Sequence, residues 1–341
     1  MKGRLPGVIR YIVRRLLSAI PVLFGLSIIL FAFIHLLPGD PAAVILGEHA
    51  TPGLVSQIRS NLGLDQPLYR QYLGYVWQLL HGDLGASILT GRSVLASFSD
   101  RFPATIELTA ASMLFAVGVG IPLGRFAARH PQSWRDGGVT VVSLLGVSIP
   151  VFVLGLTLQF IFAAQLNVLP AGGRIDARVM VPGVTNFMLI DTLLAGNPGA
   201  FADALRHLFL PAITLGSIPL AIITRITRAS VIEVSNEDYV RTARAKGLTE
   251  RRVNDRHIMR NAWLPVTTVI GLQVGSLLAG AVITESIFAW NGVGRWVVEA
   301  IKGHDYFVIQ SSILILALMF LIVNLVVDIS YAVLNPRIRY S

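Results

Sequence analysis

Four ionisable side chains fall within or at the ends of long apolar stretches: His35, Glu107, Glu285 and Asp328. Carboxylates and imidazoles placed in lipid are the usual parts of a proton relay, or of a polar contact to a carried solute. A charge at the bilayer centre costs about 2.5 to 3.5 kcal/mol on insertion scales, so a proton pump concentrates several such groups at depth. Here all four stand within roughly one helical turn of a boundary. The placement predicts interfacial or interhelical hydrogen bonding, with solute contact as the other reading, and argues against proton-coupled transport. Other reactive patterns are missing from the sequence: no GxxxxGK[ST] phosphate loop, no HExxH, no spacing that gathers His and carboxylates around a metal, and no cysteine. The chain is not expected to hydrolyse ATP or perform covalent chemistry by itself.

One polar segment stands out. Arg225 to Arg260 holds nine basic and five acidic residues, the latter being Glu233, Glu237, Asp238, Glu250 and Asp255, interleaved and not blocked. Interleaving favours a solvated helical hairpin over disorder. Asp238 to Gly247 (Tyr239, Val240, Arg241, Thr242, Ala243, Arg244, Ala245 and Lys246 between them) consists of good helix formers ending at a glycine suited to a left-handed C-terminal cap. After Leu248 the chain resumes with Glu250 to Arg260 and enters the next apolar stretch at Trp263-Leu264-Pro265. A short charged helix of this kind is suited to act as a rigid lever that docks another protein; the alternative is a plain solvated connector.

The elements that must position these residues follow from composition. Hydrophobic residues make up 54% of the 341 and charged residues 14%, against about 25% charged in soluble domains. Mean hydropathy is +0.67. Six stretches have about the length that a hydrocarbon core of roughly 30 Å demands: Leu16 to Leu37, Ala104 to Gly124, Val139 to Leu166, Leu208 to Thr224, Asn261 to Thr284 and Phe307 to Val327. The first follows Arg14 and Arg15 but is long enough to remain as an anchor instead of a cleaved signal. Six crossings leave both termini on one side, and that side carries 19 of the 28 Lys and Arg residues against nine opposite. The positive-inside rule therefore places both termini in the cytoplasm and accounts for the net charge of +9 without nucleic acid as a partner.

The fold class expected is an all-α polytopic membrane protein: an N-terminal tail and first span over 1–37, an extracytoplasmic helical segment over 38–103, and a five-helix core over 104–341. That core carries an outer loop at 167–207 and the cytoplasmic loop at 225–260. In the outer segment, Thr51-Pro52 open a helix ending before Gly63, and Asp65 and Pro67 open a second running to Gly82. Their apolar faces need cover. Asn167 to His207, rich in Gly and Pro, shows no periodicity and reads as a loop. Gly120 with Gly124, and Gly271 with Gly275, have the four-residue spacing that lets helix backbones approach closely.

The cytoplasmic loop also resembles the signature of inner-membrane permeases of binding-protein-dependent ABC importers, which reads Glu-Ala-Ala, three residues, Gly, then Leu-Pro. Ala243 matches the second alanine, Gly247 the glycine and Leu264-Pro265 the closing pair, while Arg241 and Thr242 replace the Glu and first Ala. These departures, and the long gap from Gly247 to Pro265, are similar to the oligopeptide and dipeptide branch. Further phrases of that branch are Leu37-Pro38-Gly39-Asp40-Pro41, Gly82-Asp83-Leu84-Gly85, His257 with Arg260-Asn261-Ala262, and Asn335-Pro336-Arg337-Ile338-Arg339. The chain is similar above all to first permease subunits of dipeptide importers, including the phrase Phe187 to Thr192. At Trp290-Asn291-Gly292-Val293-Gly294 it has Asn where the family usually has Pro; Asn suits a turn and tolerates a left-handed backbone, so altered turn geometry is expected there.

The resemblance implies a transport subunit without catalytic residues or metal, in the bacterial inner membrane. It implies a second homologous permease, two ABC ATPases that hold the ATP and Mg²⁺, an extracytoplasmic solute-binding protein, and dipeptides or short peptides as cargo. Tyr239 to Leu248 becomes the ATPase-coupling loop. Relatives in the branch also handle nickel chelates, glutathione, haem or antimicrobial peptides. The readings from other classes are a secondary transporter or channel acting alone, and a membrane-embedded enzyme. Four scattered boundary residues offer the latter no assembled acid, base and nucleophile.

Overall fold

In the computed structural model, residues 5–36, 46, 51–61 and 63–334 are described; the phrases Leu37 to Pro41 and Asn335 to Arg339 lie outside them. Among the described residues every regular element is helical, apart from one isolated bridge between Ala86 and Ser93. In chain order the helices are α1 Leu5–Leu36, α2 Pro52–Asn61, α3 Leu68–Leu80, α4 Val94–Arg129, α5 Trp134–Ser148 and α6 Val151–Leu158, the last continued by a π-helical stretch Gln159–Gln165. Then come α7 Met188–Leu194, α8 Pro198–Ser235 and α9 Asp238–Ala245. Glu250–Arg252 and a π-helical turn Val253–Ile258 lead into α10 Met259–Ile287, followed by α11 Val293–Lys302 and α12 Tyr306–Leu334.

Five of these stretches are long and apolar enough to cross a membrane: Ile12–Leu36, Val94–Arg129, Pro198–Ser235, Glu250–Leu278 and Tyr306–Val327. The sixth expected span, Val139 to Leu166, is not one straight helix. It is the pair Trp134–Ser148 and Val151–Gln165, bent by 103°. The cause is Pro150, which has no N–H to donate and disfavours helical backbone at the residue before it; Ile149 is accordingly extended (φ −80°, ψ 122°). With the bent pair counted as one span, the chain is the all-α polytopic protein its composition demands.

Two further expectations change. The outer segment Asn167 to His207 is only partly irregular, since it contains α7 and the first turns of α8. Asn197 caps α8 by accepting from the Ala200 N–H at 3.0 Å, and Pro198 occupies the first turn. From there α8 runs for 38 residues through Pro211 and Pro219, well past the stretch Leu208 to Thr224. At the turn after α10, the left-handed residue is Ala289 (φ 49°) and not Asn291. The Trp290 N–H donates to the Glu285 carbonyl at 2.8 Å, so the helix closes two residues before the asparagine.

The described residues divide into two units, one drawn from 5–103 and 292–322, the other from 104–291 and 323–334. In the first, Ile34, Val94, Ala300, Val308 and Ile309 form a buried cluster, and Phe98, Val293 and Val297 form another. One side of α3 meets α1, where the Tyr72 ring lies edge-on to Phe31 at 5.3 Å and its hydroxyl is 2.9 Å from that of Ser27, but no residue of α3 is buried, and Leu73 and Trp77 are exposed. Asp305, 2% exposed, accepts from the Ser87 hydroxyl at 2.5 Å and the Ile88 N–H at 3.2 Å. It thereby ties the loop before α4 to the start of α12.

The second unit is organised on α8. Ala104, Leu108, Leu208, Leu215, Leu277, Ala281 and Trp290 make one buried cluster around it. The spaced glycines act where α4 meets α8: a Cβ on Gly120 would stand 3.1 Å from the Leu220 carbonyl oxygen, and one on Gly124 only 2.6 Å from that of Thr224. Backbones approach this closely only where no side chain intervenes. Gly271 and Gly275 are both buried on α10.

Candidate functional site

The hairpin between α8 and α10 begins with local chemistry. Asp238 sits in the first turn of α9, where a carboxylate complements the partial positive charge of a helix N-terminus. The Thr242 hydroxyl donates to the Asp238 carbonyl at 2.9 Å. At the other end the Gly247 N–H donates to the Arg244 carbonyl (2.9 Å) and the Leu248 N–H to the Ala243 carbonyl (3.3 Å). Those two bonds define a Schellman motif, which needs a left-handed residue between them. Gly247 supplies it with φ +77°.

Packing then makes the short helix rigid. Val240 and Ala243, three apart, point inward and join Ala128, Val231, Val253, Ile258 and Ala262 in a buried cluster that Leu248 flanks. The π-helical turn lets Val253 and Ile258, five residues apart, share the inner face. Polar bonds secure the rim. The Asn261 side-chain amide donates to the Tyr239 hydroxyl at 2.9 Å, Arg244 Nε to Glu250 at 2.8 Å, and Arg125 Nη2 of α4 to Asp255 Oδ1 at 2.6 Å.

The nine residues singled out from the sequence are thus brought onto one helix and its cap, but they do different things. Tyr239, Arg241, Thr242, Arg244, Ala245, Lys246 and Gly247 are exposed; Ala243 is buried and Leu248 half-buried. The outward face is polar and basic. Sequence reasoning missed the inner face, although the spacing of Val240 and Ala243 signals it. It also missed Arg125 with Asp255 and Arg228 with Asp136, which are 130 and 92 residues apart in sequence and linked by no motif.

The carboxylates near span boundaries form structural bonds. Glu107, 7% exposed, accepts from Arg174 Nη2 at 2.7 Å and from the Leu189 N–H at 2.8 Å. Arg174 also donates to the Asn186 carbonyl and lies over the Trp290 ring. Glu285, fully buried, accepts from the Thr105 hydroxyl at 2.7 Å, and Trp290 Nε1 donates to the Ala104 carbonyl. His35 Nε2 pairs with Gln71 Oε1 at 3.1 Å. Asp328 lies on α12. In the segment between α6 and α8, burial pushes the Asp191 carboxyl up, but the Thr185 hydroxyl and the N–H groups of Thr185 and Asn186 donate to it and hold it below the usual range. The bonding around Arg174 and Asp191 organises the segment before α7, and no spacing in the sequence announces either.

Comparison with known proteins follows the same outline. Residues 120–340 match the family described as binding-protein-dependent transport system inner membrane component, and residues 8–109 match its N-terminal counterpart. A dipeptide transport system permease protein of Escherichia coli is 48% identical over 337 residues, covering 98% of this chain and 99% of that protein. A di/tripeptide transport system permease protein of Pseudomonas aeruginosa is 51% identical over 332 residues, covering 97% and 99%. A glutathione transport system permease protein of Escherichia coli is 40% identical over 333 residues, covering 98% and 100%.

Proposed function

The chain belongs to the binding-protein-dependent transport system inner membrane components, and from that premise we propose that it is the dipeptide- or tripeptide-carrying permease subunit of an ABC importer, worked by separate ATPases through α9. One observation carries the reading. An eight-residue helix, Asp238–Ala245, lies between two membrane-crossing helices with its apolar side buried and its charged side exposed. Such a helix has nothing to catalyse and is well seated to transmit a push. Peptides as cargo are supported by relatives at 48% and 51% identity over almost the whole chain.

In this reading a second homologous permease completes the path, and two ATPases hold ATP and Mg²⁺ and receive α9 in a groove. Arg241, Arg244 and Lys246 set its register more than its affinity, because rim charges contribute little each. A solute-binding protein delivers cargo to the outer segments 38–103 and 167–207. Both termini are cytoplasmic, a placement supported by the excess of Lys and Arg on their side.

The test is uptake by proteoliposomes holding both permeases, the ATPases and the binding protein. Labelled dipeptide should accumulate only with ATP and binding protein present, and complexes lacking this chain should not accumulate it. Downhill flux through the chain alone would instead identify a channel or secondary transporter.

A further inference from the structure

Between α5 and α8 lies a cleft of about 200 Å³, walled by Val139, Leu144 and Val147 on one side and Ala221 on the other, with Arg225 and Arg228 at one end. Four hydroxyl groups lie on its walls, and two of them are turned back on their own helices: Ser143 donates to the Val139 carbonyl and Thr224 to the Leu220 carbonyl, while Thr140 and Ser148 are the other two. Apart from these hydroxyls the walls are apolar.

The two arginines differ in their partners. Arg228 donates through Nε and Nη2 to the two carboxylate oxygens of Asp136, whose Oδ2 also accepts from the Gln132 N–H. That carboxylate is saturated. Arg225, three residues earlier on α8 and exposed, has no carboxylate partner among the described residues. An unpaired guanidinium at the mouth of an apolar cleft calls for an anion whose remainder is apolar.

Depth supports the same chemistry. α5 begins at Trp134, which is 81% exposed and has the Arg135 guanidinium 5.5 Å from its ring centroid. An exposed Trp with a basic neighbour at a helix start marks the headgroup level of a membrane. The Arg228 to Asp136 bond puts Arg228 at that level and Arg225 about one turn further in. Beyond Trp134, α5 continues with exposed Val141, Val142 and Leu145. A zwitterionic peptide fits poorly, since no carboxylate lines the cleft to receive its ammonium group.

We propose that this cleft holds one anionic phospholipid of the surrounding membrane, its phosphate on Arg225 and its first acyl carbons along Val139, Leu144 and Val147. Basic pockets between membrane helices recognise such headgroups. The site lies apart from the coupling surface and does not depend on which solute is carried.

Native mass spectrometry of the assembled importer in detergent tests this, with dioleoylphosphatidylglycerol and dioleoylphosphatidylcholine as probes. The intact complex should retain one phosphatidylglycerol at this site with a preference of about fivefold or more over phosphatidylcholine. Arg225→Gln should abolish that preference and Arg225→Lys should keep most of it. Ser143→Trp, which fills the cleft and leaves the guanidinium, should abolish it too. Unchanged preference in Arg225→Gln overturns the proposal. So does displacement of the lipid by millimolar inorganic phosphate, which would reveal a site for a free anion. Efficient crosslinking of a Cys at position 143 or 144 to the second permease would show protein covering the cleft, and would overturn it equally.

Discussion

Arg125 Nη2 donates to Asp255 Oδ1 at 2.6 Å, joining the end of α4 to the π-helical turn that follows α9. The two residues are 130 positions apart, and the bond gives the hairpin a polar tether beside its apolar seat. Both side chains are partly solvent-exposed, at 31% and 53%, so the pair is worth about 0.2 to 1 kcal/mol. Asp255→Arg should lower ATP-driven uptake by roughly 1.4-fold to fivefold, the range that energy spans. The exchange Arg125→Asp with Asp255→Arg should recover most of the loss in the same proteoliposome assay. No recovery would mean that Asp255 acts by some other contact.

Gly247→Val should uncouple transport while leaving the chain in the membrane. A Cβ at this position meets nothing within 4 Å, so crowding is not the issue; the backbone is, because φ is +77°. Holding a side-chain-bearing residue there costs about 1 to 2 kcal/mol, with a β-branched residue at the upper end. That is a factor of roughly 5 to 30 in the population of the seated hairpin. Uptake should fall accordingly, with binding-protein stimulation of ATPase weakened and membrane abundance near normal. Gly247→Asn, which tolerates the left-handed region, should retain most activity. Near-normal uptake by the valine variant would make the hairpin a plain connector.

Gly124 and Gly118 lie on the same helix and should respond oppositely to alanine. At Gly124 the new Cβ would stand 2.6 Å from the Thr224 carbonyl oxygen and 2.7 Å from Thr227 Cβ, while at Gly118 it would meet nothing within 4 Å. Overpacking of this kind costs about 1 to 3 kcal/mol, whereas Gly to Ala in an open helix position is worth roughly 0.5 to 1 kcal/mol in favour. Thermal unfolding in detergent, followed by size-exclusion chromatography, should show a lower midpoint for Gly124→Ala and an equal or higher one for Gly118→Ala. Equal midpoints for the two variants would remove the close contact of α4 with α8.

Asp191 should make the segment before α8 acid-sensitive. Its folded carboxyl lies below the ordinary carboxylate range, so its stabilisation is complete above the unfolded value of about 3.9 and is lost as pH falls through the folded value. Asp191→Asn should destabilise the loop by about 1 to 3 kcal/mol at neutral pH, the cost of leaving buried donors poorly matched. Protease protection of segment 167–197 should therefore differ between wild type and variant by a constant amount from pH 8 to about pH 5, and converge below about pH 4. A constant difference down to pH 3 would show that the carboxylate charge is not what orders the loop.

Much of this was legible without coordinates. Apolar stretches longer than a bilayer, flanked by uneven numbers of basic residues, leave a chain no alternative to a polytopic helical fold, because lipid offers backbone groups no other partner. Helix punctuation is equally local: Pro52 and Pro67 open α2 and α3, and Gly247 ends α9, since φ preferences belong to single residues. What neighbours in sequence cannot specify is which distant groups meet. The Arg174 bond to Glu107, the Arg228 bond to Asp136 and the burial of Ala243 under Val253 and Ile258 arise only when helices pack. Pro150 permitted a break in the third span, yet Pro211 and Pro219 sit within an unbroken helix. Tertiary packing decides between those outcomes, because the carbonyl that a proline frees must find another partner, or tolerate having none, in the surroundings the fold supplies.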